Sequence, residues 1–245
     1  MIIHTYEEGG RADAAREYIE EHRDKIPYKR LIILPIPTTK DKVHLRGSEV
    51  LISDIVNNSL PGDAVIGYDL PTAFSEALLA KGVGVYDAGR DEEFLLENAE
   101  LTALAALGIL LTGGRRALSD IRFGIVGYGR IGKKLARMLL FHGAFVRIYT
   151  SKSKTMLELG ALGLSVLESS ESADLSDIDV LINTAPAPIF GSNIPEKVRV
   201  IDLASGENFP RGRAESYPSV PAKMFPISAG RALGRGALKY FTSEK

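Results

Sequence analysis

The chain is 245 residues long and of ordinary globular composition, with 45% hydrophobic and 25% charged side chains, which excludes the disordered and fibrous classes. Its 30 basic and 31 acidic residues leave a net charge of -1, so no bulk field favours nucleic acid or an anionic membrane surface. Cysteine is absent and the four histidines are scattered, which excludes disulfides and thiolate metal sites and argues against any protein metal site. We therefore expect a small-molecule partner.

The chain shows no signal-peptide layout at its start and no apolar run near the roughly 20 residues that span a bilayer. We therefore expect a soluble, cytoplasmic protein with no membrane partner. Over the first ninety residues, strands are predicted at 2–5, 31–35, 63–67 and 83–86, and helices at 11–24, 48–58 and 72–81. This alternation is typical of a small parallel sheet covered by helices.

Segment 98–112 is apolar almost all round and stops at Gly113 and Gly114. It is predicted to be a buried helix that connects two domains. The alternation then restarts, with strands at 122–126, 145–149, 164–167, 178–183 and 198–203 and helices at 130–142 and 153–162. The fold predicted is α/β, with two doubly wound parallel-sheet domains.

The end of the chain is predicted to return to the domain junction. Ser228 precedes an amphipathic helix at 229–241 and is its expected N-cap. Segment 205–221 is the one long irregular stretch, and loops of that length are often functional. The domains predicted are residues 1–97 for substrate, 98–228 for dinucleotide and 229–245 for the returning helix.

Three glycines form a G-x-G-x-x-G pattern between a predicted strand and a predicted helix. Gly127 permits a tight turn, Gly129 lets the backbone approach a pyrophosphate, and Gly132 lets the helix pack closely. The phosphates are then expected on the amides at the start of the helix. The alternative is a chance arrangement of glycines in a turn that binds nothing. The predicted cofactor contacts in this turn are Gly127, Tyr128, Gly129, Arg130, Ile131 and Gly132.

The second strand of this unit ends at Tyr149, where NAD-binding folds usually carry an acid for the ribose hydroxyls. The first acid after the strand is Glu158, and hydroxyls and lysines precede it. Those groups suit a 2′-phosphate, so NADP is favoured over NAD. The alternative is a solvated helix start capped by Ser151 or Ser153. The predicted 2′-phosphate contacts are Thr150, Ser151, Lys152 and Lys154.

Five segments occur in a characteristic order and combination. They are Ile32–Thr39, Asn98–Ala103, Gly127–Gly132, Asn183–Pro186 and Val200–Ser205. Each is only moderately specific, but their order and spacing from about residue 30 onward resemble the dipicolinate synthase A family, which makes pyridine-2,6-dicarboxylate in spore-forming bacteria. The resemblance implies an NADP-linked oxidoreductase acting on a hydroxylated tetrahydrodipicolinate, accompanied by a flavoprotein second subunit. We also expect a homo-oligomer.

The chain departs from that family in two respects. Its amino-terminal domain is shorter, and the family's Pro-Lys-Thr-Ala-Gly segment is replaced by residues 226–230, with Ile227 in the place of the lysine. If the lysine binds substrate, Ile227 cannot do so. The chain could therefore act on a related small carboxylate, or be a non-catalytic NADP-binding subunit or sensor.

Ligands in open parallel sheets lie beyond the carboxyl ends of the strands. The candidate donors for a dicarboxylate at those positions are Thr38, Thr39, Lys40, Ser205, Gly206 and Ser228. We expect the loops at 38–40 and 205–206 to face each other across an interdomain cleft. The Pro-Ile-Pro-Thr-Thr segment could instead be a rigid strand exit with a threonine cap.

The loop after the 178–183 strand should lie where nicotinamide binds. Its predicted cofactor contacts are Asn183, Thr184, Ala185 and Pro186. Asn183 could instead tie down its own turn, and Asp202 could be a structural carboxylate that caps a loop. No general acid or base stands out, and the weak catalytic candidates are Asn183, Asp202 and Ser205. No histidine is expected in any of these loops, which argues against a D-2-hydroxyacid dehydrogenase.

Overall fold

The computed structural model describes residues 1–7, 9–112, 115–170, 172–186 and 194–243. The strands are β1 (Ile2–Thr5), β2 (Arg30–Ile33), β3 (Asp63–Gly67), β4 (Gly84–Asp87), β5 (Arg122–Val126), β6 (Phe145–Thr150), β7 (Ser165–Glu168), β8 (Val180–Asn183), β9 (Arg199–Asp202) and β10 (Glu215–Ser216). The helices are α1 (Gly10–Glu21), α2 (Ile52–Asn58), α3 (Thr72–Ala80), α4 (Glu92–Thr112), α5 (Arg130–Phe141), α6 (Ser153–Ala161), α7 (Val220–Met224) and α8 (Pro226–Ser243).

The chain folds into two compact units. One comprises Met1–Asn98 and Ala222–Lys245, and the other comprises Ala99–Pro221. Each unit, within its described residues, contains one wholly parallel sheet, of four strands in the first and six in the second. The predicted α/β class with two parallel-sheet domains is confirmed.

The first unit has a sheet in the order β1-β2-β3-β4, with apolar side chains on both faces. Leu31 and Ile33 pack with α1 and α8, whereas Ile32 and Leu34 pack with α2 and α3. Successive residues of a strand point to opposite faces, so one short run of aliphatic residues fills two cores.

The three crossovers in this sheet advance in the same direction but do not cover the same face. α1 covers one face, and α2 and α3 cover the other. The β1–α1–β2 connection therefore has the opposite hand to the two that follow it. Such connections are right-handed in about 98% of cases. Either the first connection or the two that follow it therefore have the rare left-handed form.

The contact between α1 and α8 depends on glycine. A Cβ on Gly230 would lie within 3.0 Å of the Arg11 carbonyl oxygen and 2.6 Å from the Cβ of Ala14. A Cβ on Gly234 would lie 2.9 Å from the Cδ1 atom of Tyr18. The two helices therefore approach so closely that larger residues at these positions would clash with backbone and packed side chains.

The second unit has its sheet in the order β10-β9-β8-β5-β6-β7, with every neighbouring pair parallel. The chain moves outward from β5 in one direction through β6 and β7, and then in the other through β8 to β10. The strand order therefore reverses between β5 and β8, and in doubly wound sheets the ligand crevice lies at that point.

α4 starts earlier than predicted, at Glu92, because Asp91 caps it. The Oδ1 atom of Asp91 accepts hydrogen bonds from the backbone N–H groups of Glu93 at 3.0 Å and Phe94 at 3.3 Å. Such an acidic cap followed by glutamates is a recognisable helix start. The helix was predicted to start at 98 because the prediction followed the apolar pattern, which covers only the later part of the helix.

α4 contributes to the cores of both units. Phe94 packs in the first, and Ala103, Ala106 and Leu110 pack in the second. The segment predicted to be buried leaves part of its apolar surface exposed, since Leu104 is 40% and Leu111 is 59% exposed. Among the described residues, α4 is the one helix that is long and apolar enough to cross a membrane by length and composition, and 39% of that stretch is buried within the protein.

The other boundary differences have local causes. α8 begins at Pro226, a residue suited to the first helical position because it has no N–H to satisfy. Ser228 therefore lies inside the first turn and is not the predicted N-cap. The predicted helix at 48–58 begins at Ile52, because residues 43–52 first form a tight backbone pairing.

Replacing Gly230 by alanine should destabilise the first unit, because the new methyl group meets the Arg11 carbonyl. We expect the free energy of unfolding to fall by about 2 kcal/mol, as overpacking typically costs 1–3 kcal/mol. Urea denaturation followed by circular dichroism measures this. The matched control is Gly160→Ala in α6, where no described atom outside the nearby backbone of that helix lies within 4 Å of the added Cβ and alanine favours the helix. Equal stability of the two variants would contradict the packing argument.

Candidate functional site

The glycine turn after β5 has the backbone geometry that a dinucleotide turn needs. Gly127 has φ of 88°, in the left-handed region, and its N–H donates to the Tyr149 carbonyl at 2.8 Å. A Cβ on Gly132 would lie within 3.0 Å of the Gly127 carbonyl oxygen. Glycine is therefore required at both positions for α5 to pack directly on the end of β5.

Gly129 differs from its two partners in the turn. A Cβ added there would meet no atom of the described residues within 4 Å, so packing among those residues does not require glycine at this position. Gly129 is also the N-cap of α5, and among the described residues no side chain caps that helix end. The backbone thus leaves open space directly before a helix N-terminus, where an anionic group is stabilised by amides and the helix dipole.

The loop after β8 lies against this turn. The Thr184 hydroxyl donates to the Val126 carbonyl at 2.8 Å, and Thr184 and Ala185 surround the position that a Cβ on Gly127 would occupy. Both loops leave the carboxyl ends of neighbouring strands. The structure therefore brings together two of the predicted cofactor segments, Gly127–Gly132 and Asn183–Pro186, at the reversal of strand order.

Asn183 and Asp202 form a buried polar network. The Asn183 side-chain amide donates to Asp202 Oδ1 at 2.9 Å, and the Asn208 amide donates to Asp202 Oδ2 at 3.1 Å. The Ala204 N–H also donates to Asp202 Oδ1, at 3.1 Å, and the Asn183 Oδ1 atom accepts from the Ala185 N–H at 3.2 Å. Asp202 is 2% exposed.

This network favours the structural interpretation of both residues. Asn183 ties down its own turn, and Asp202 anchors the loop that follows β9. A carboxylate held by three donors and shielded from solvent is poorly placed to accept a substrate proton, so neither residue suits a catalytic role. Ser205 and Gly206 lie exposed in the anchored loop, and the Ser205 carbonyl accepts from the Asn208 amide at 3.3 Å.

The basic segment after β6 forms the exposed start of α6. Lys152 is the N-cap residue, and neither Ser151 nor Ser153 caps the helix, so the alternative that assigned them this role is wrong. The Lys154 Nζ atom lies 3.9 Å from Glu158 Oε1 in an exposed pair. Thr150 is buried, and its hydroxyl accepts from the Lys152 N–H at 3.3 Å.

An acid that sequence reasoning overlooked lies at the same end of this sheet. Glu168 is the last residue of β7 and stands opposite Thr150 in the parallel register. It is exposed. Only strand pairing makes it a neighbour of the basic segment, because it follows that segment by a helix and a strand in the sequence.

The predicted substrate contacts in the loop after β2 differ in how far their side chains are buried. Thr38 is fully buried, and its hydroxyl accepts from the Tyr68 N–H at 3.0 Å. Its assignment as a substrate contact is therefore corrected to that of a strand-exit cap. Thr39 is half-buried and its hydroxyl accepts from the Lys42 N–H at 2.9 Å, whereas Lys40 is exposed.

A buried arginine fixes the entrance to this loop. The Arg11 guanidinium donates to the Ile36 carbonyl at 3.1 Å and to both oxygens of Glu7, at 2.7 and 2.9 Å. Arg46, from the far side of the loop, lies 3.8 Å from the Glu7 carboxylate. Arg11 and Arg46 therefore both lie close to the Glu7 carboxylate beside the loop.

The same loop contains a histidine paired with a carboxylate. His44 Nδ1 lies 2.8 Å from Asp41 Oδ2, and this pair raises the pKa of His44 and lowers that of Asp41. The expectation that no histidine lies in these loops is therefore wrong. Asp41 and His44 already lie between the predicted strand at 31–35 and the predicted helix at 48–58, so the sequence analysis overlooked them by limiting this loop's candidates to residues 38–40.

Ser228 and Ile227 lie exposed in the first turn of α8, and Ile227 is 61% exposed. A separate cavity of about 380 Å³ lies between β4, α3 and α8 and is lined by Tyr86, Asp87, Arg90, Lys239 and Tyr240, among others. None of the predicted site residues lines it. In the described part of the chain, no three His, Asp or Glu residues are grouped as metal ligands.

No family model matches the chain. Dipicolinate synthase A of Bacillus subtilis (strain 168) is 23% identical over 233 residues, which are 86% of this chain and 77% of the relative. The crystal structure of dipicolinate synthase A from Bacillus halodurans superposes with a TM-score of 0.77 and 20% identity, covering 98% of this chain and 96% of that one.

A second kind of solved structure shares the architecture. The D-isomer specific 2-hydroxyacid dehydrogenase of Lactobacillus delbrueckii ssp. bulgaricus, solved as a complex with NAD, gives a TM-score of 0.57 at 10% identity, covering 99% of this chain and 96% of that one. The chain therefore shares its fold with both of these solved structures. The resemblance in motif order is confirmed: in sequence and in structure the chain is similar to dipicolinate synthase A.

Proposed function

We propose that the protein is an NADP-dependent oxidoreductase of the dipicolinate synthase A type, acting on a hydroxylated tetrahydrodipicolinate-like dicarboxylate. The observation that carries the proposal is the open backbone at Gly129, between two glycines that packing requires and directly before the N-terminus of α5. The similarity to dipicolinate synthase A supports the substrate class.

The residues present fit a dinucleotide. The amides of the turn and of the first residues of α5 would hold the pyrophosphate in the space that a Cβ on Gly129 would fill. Thr184 and Ala185, which lie against the turn, would orient the ribose and ring at its other end. When bound, a nicotinamide ring supplies a hydride acceptor, and positioning by these residues would provide most of the rate enhancement.

The preference for NADP rests on the exposed hydroxyls and cations at the start of α6. Ser151 and Lys152 are exposed, and neither is used to cap the helix through its side chain. Lys154 is partly neutralised by Glu158, and Glu168 at the end of β7 adds an acid nearby in the register. These acids would weaken the preference for a 2′-phosphate, to which Ser151 and Lys152 would contribute a hydroxyl and a cation.

The substrate carboxylates would be bound by the accessible groups of the predicted loops. These are Thr39, Lys40, Ser205, Gly206 and Ser228. Arg46 adds a cation to the first of those loops. A dicarboxylate would gain charge-assisted hydrogen bonds from the cations and fix its orientation through the hydroxyls.

A non-catalytic NADP-binding subunit or sensor is the second candidate. Two observations favour it: Ile227, where the family has a lysine, is exposed and apolar, and Asn183 and Asp202 are committed to a structural network. In either case we propose a cytoplasmic protein that forms homo-oligomers and associates with a flavoprotein second subunit.

Turnover separates the two candidates. The protein is incubated with NADP and an enzymatically generated tetrahydrodipicolinate precursor, alone and with the flavoprotein of the dipicolinate pathway. We expect absorbance of the reduced nicotinamide and of the pyridine product to rise together. Binding of NADP without either absorbance change, in both incubations, would support the sensor and contradict the oxidoreductase.

NADP should bind about tenfold more tightly than NAD, because the 2′-phosphate gains charge-assisted hydrogen bonds that solvent partly screens. The ratio should fall at high salt. Calorimetric titration with both dinucleotides at two salt concentrations measures it. Lys152→Ala should reduce the preference, whereas Lys25→Ala, an exposed lysine of the first unit, should not. Equal affinities in the wild type would refute the assignment of the basic segment.

Gly129→Ala should weaken dinucleotide binding without affecting the fold. In the described part of the chain its Cβ meets no atom within 4 Å, but it occupies the space assigned to the pyrophosphate. We expect a loss of affinity of at least roughly tenfold, as removal of one or two amide contacts costs 1.5–3 kcal/mol each. Thermal melting should stay close to wild type, as for Gly160→Ala. Retained affinity would show that the phosphates lie elsewhere.

A further inference from the structure

The cavity between β4, α3 and α8 includes the open edge of the first sheet. β4 is the last strand in the order β1-β2-β3-β4, so among the described residues no strand pairs with its outer side. α3 and α8 pack on opposite faces of the sheet. Nevertheless Leu79 of α3 and Tyr240 of α8 both line the cavity, together with Val85, Tyr86 and Asp87 of β4. A cavity that is reached from both faces must contain the edge of the strand between them.

The register shows which backbone groups of β4 face the cavity. The Leu34 N–H donates to the Ile66 carbonyl at 2.9 Å, so Ile66 directs its backbone groups toward β2. Alternate residues of a strand direct theirs to opposite neighbours, so Val65 faces β4, and in a parallel ladder it bonds the residues on either side of its paired residue. That paired residue is Val85. The N–H and C=O groups of Val85 therefore face outward, into the cavity.

The walls of the cavity are largely apolar and aromatic. Tyr86 is 2% exposed, and its ring centroid lies 5.5 Å from that of Tyr240. Leu79, on the opposite face of the sheet, is 56% exposed, so a ligand would shield it from water. The volume of about 380 Å³ lies in the range of small-molecule sites. These walls suit a planar ring, which packs favourably on tyrosine.

The charged side chains that line the cavity are paired within the protein. Arg90 Nε lies 3.4 Å from Asp87 Oδ2, and Lys239 pairs with Glu93. Asp91 accepts hydrogen bonds at the start of α4. Two acids and two cations line the cavity, so their formal charges cancel. A charged ligand would have to displace one of these pairs, whereas a neutral one would not, and the site therefore favours a neutral ligand.

The aromatic wall is held in place by the protein itself. The Tyr86 hydroxyl donates to Asp91 Oδ2 at 2.7 Å, and burial together with this bond raises the pKa of Tyr86, so the phenol stays protonated. A Cβ on Gly236 would collide with that hydroxyl, so glycine at this position of α8 makes room for the hydrogen bond. A preformed wall lowers the entropic cost of binding.

We propose that this cavity is a second ligand site, which binds a neutral planar heterocycle with a hydrogen-bond donor beside an acceptor, as in a nucleobase or a lactam. The acceptor would receive the Val85 N–H, the donor would bond the Val85 carbonyl, and the ring would pack against Tyr86 and Tyr240. All the lining residues belong to the first unit. The proposal therefore does not depend on the dinucleotide turn or on the proposed function.

The test titrates the full chain with isoquinolin-1-one, a neutral bicyclic lactam, and with its N-methyl derivative, which lacks the donor. Calorimetry should show binding of the lactam and roughly tenfold weaker binding of the N-methyl derivative, because the Val85 carbonyl then loses its partner. Leu79→Ala should weaken lactam binding by about fivefold through lost apolar contact. The matched control is Leu60→Ala, an exposed leucine that does not line the cavity. Equal affinity of the two compounds, or no binding of the lactam, would overturn the proposal.

Hydrogen exchange followed by nuclear magnetic resonance locates the bound lactam. In the free protein the Val85 amide should exchange faster than the Tyr86 amide, which faces β3. At a lactam concentration of about ten times Kd, exchange of the Val85 amide should slow about tenfold, because only the free fraction exchanges.

Two exchange results would contradict this assignment. Binding of the lactam without protection of the Val85 amide would place the lactam elsewhere on the protein. Protection of that amide in the free protein would show that the edge is already occupied, by a second copy of the chain if the protection rises with protein concentration and by the chain itself if it does not. Either result would overturn the proposal.

Discussion

The second unit depends on one close contact, between Gly132 at the start of α5 and the Gly127 carbonyl at the end of β5. A Cβ at Gly132 would penetrate that carbonyl, so the helix can pack on the strand only where no side chain intervenes. This contact sets the path of the turn and leaves the backbone of Gly129 facing open space. Thr184, hydrogen-bonded to Val126, then closes the other side of the turn.

Buried polar groups maintain the remaining loops at this edge. Asp202 receives three N–H donors while 2% exposed, and loss of a single partner in such a network leaves a costly unsatisfied group. The network joins the loops after β8 and β9. Structural groups thus support the segment assigned to the cofactor, while the exposed groups, including Ser205 and Gly206, remain accessible to a ligand.

The packing of the first unit depends on a close contact between two helices from opposite ends of the chain. Its first crossover has the opposite hand to the next two, and the helix involved is covered by α8 from the other end of the chain. Glycines at 230 and 234 permit that close approach. The result is a small sheet covered on both faces, with Arg11 of α1 reaching the Ile36 carbonyl and holding the entrance of the loop that carries His44.

Local signals determined the parallel α/β class, the positions of nine of the ten described strands and the dinucleotide turn, whereas β10 lies in the segment 205–221 that was predicted to be irregular. Strands in parallel sheets are short continuous aliphatic runs, and a glycine turn between strand and helix has residue requirements that are visible in sequence. The Asp91 cap that starts α4 is also a local signal. The prediction followed the apolar pattern instead and placed the helix start at 98.

Tertiary structure decided which polar residues are free to act. Thr38, Asn183 and Asp202 are of residue types that often bind ligands. Each is buried, however, and hydrogen-bonded to a partner distant in sequence. Glu168 approaches the basic segment only through strand pairing. His44 and Asp41 lie in a loop that the sequence already predicted, and the structure adds the hydrogen bond between their side chains. Burial and non-local hydrogen bonds separate a structural polar group from a functional one, and neither is encoded in the order of neighbouring residues.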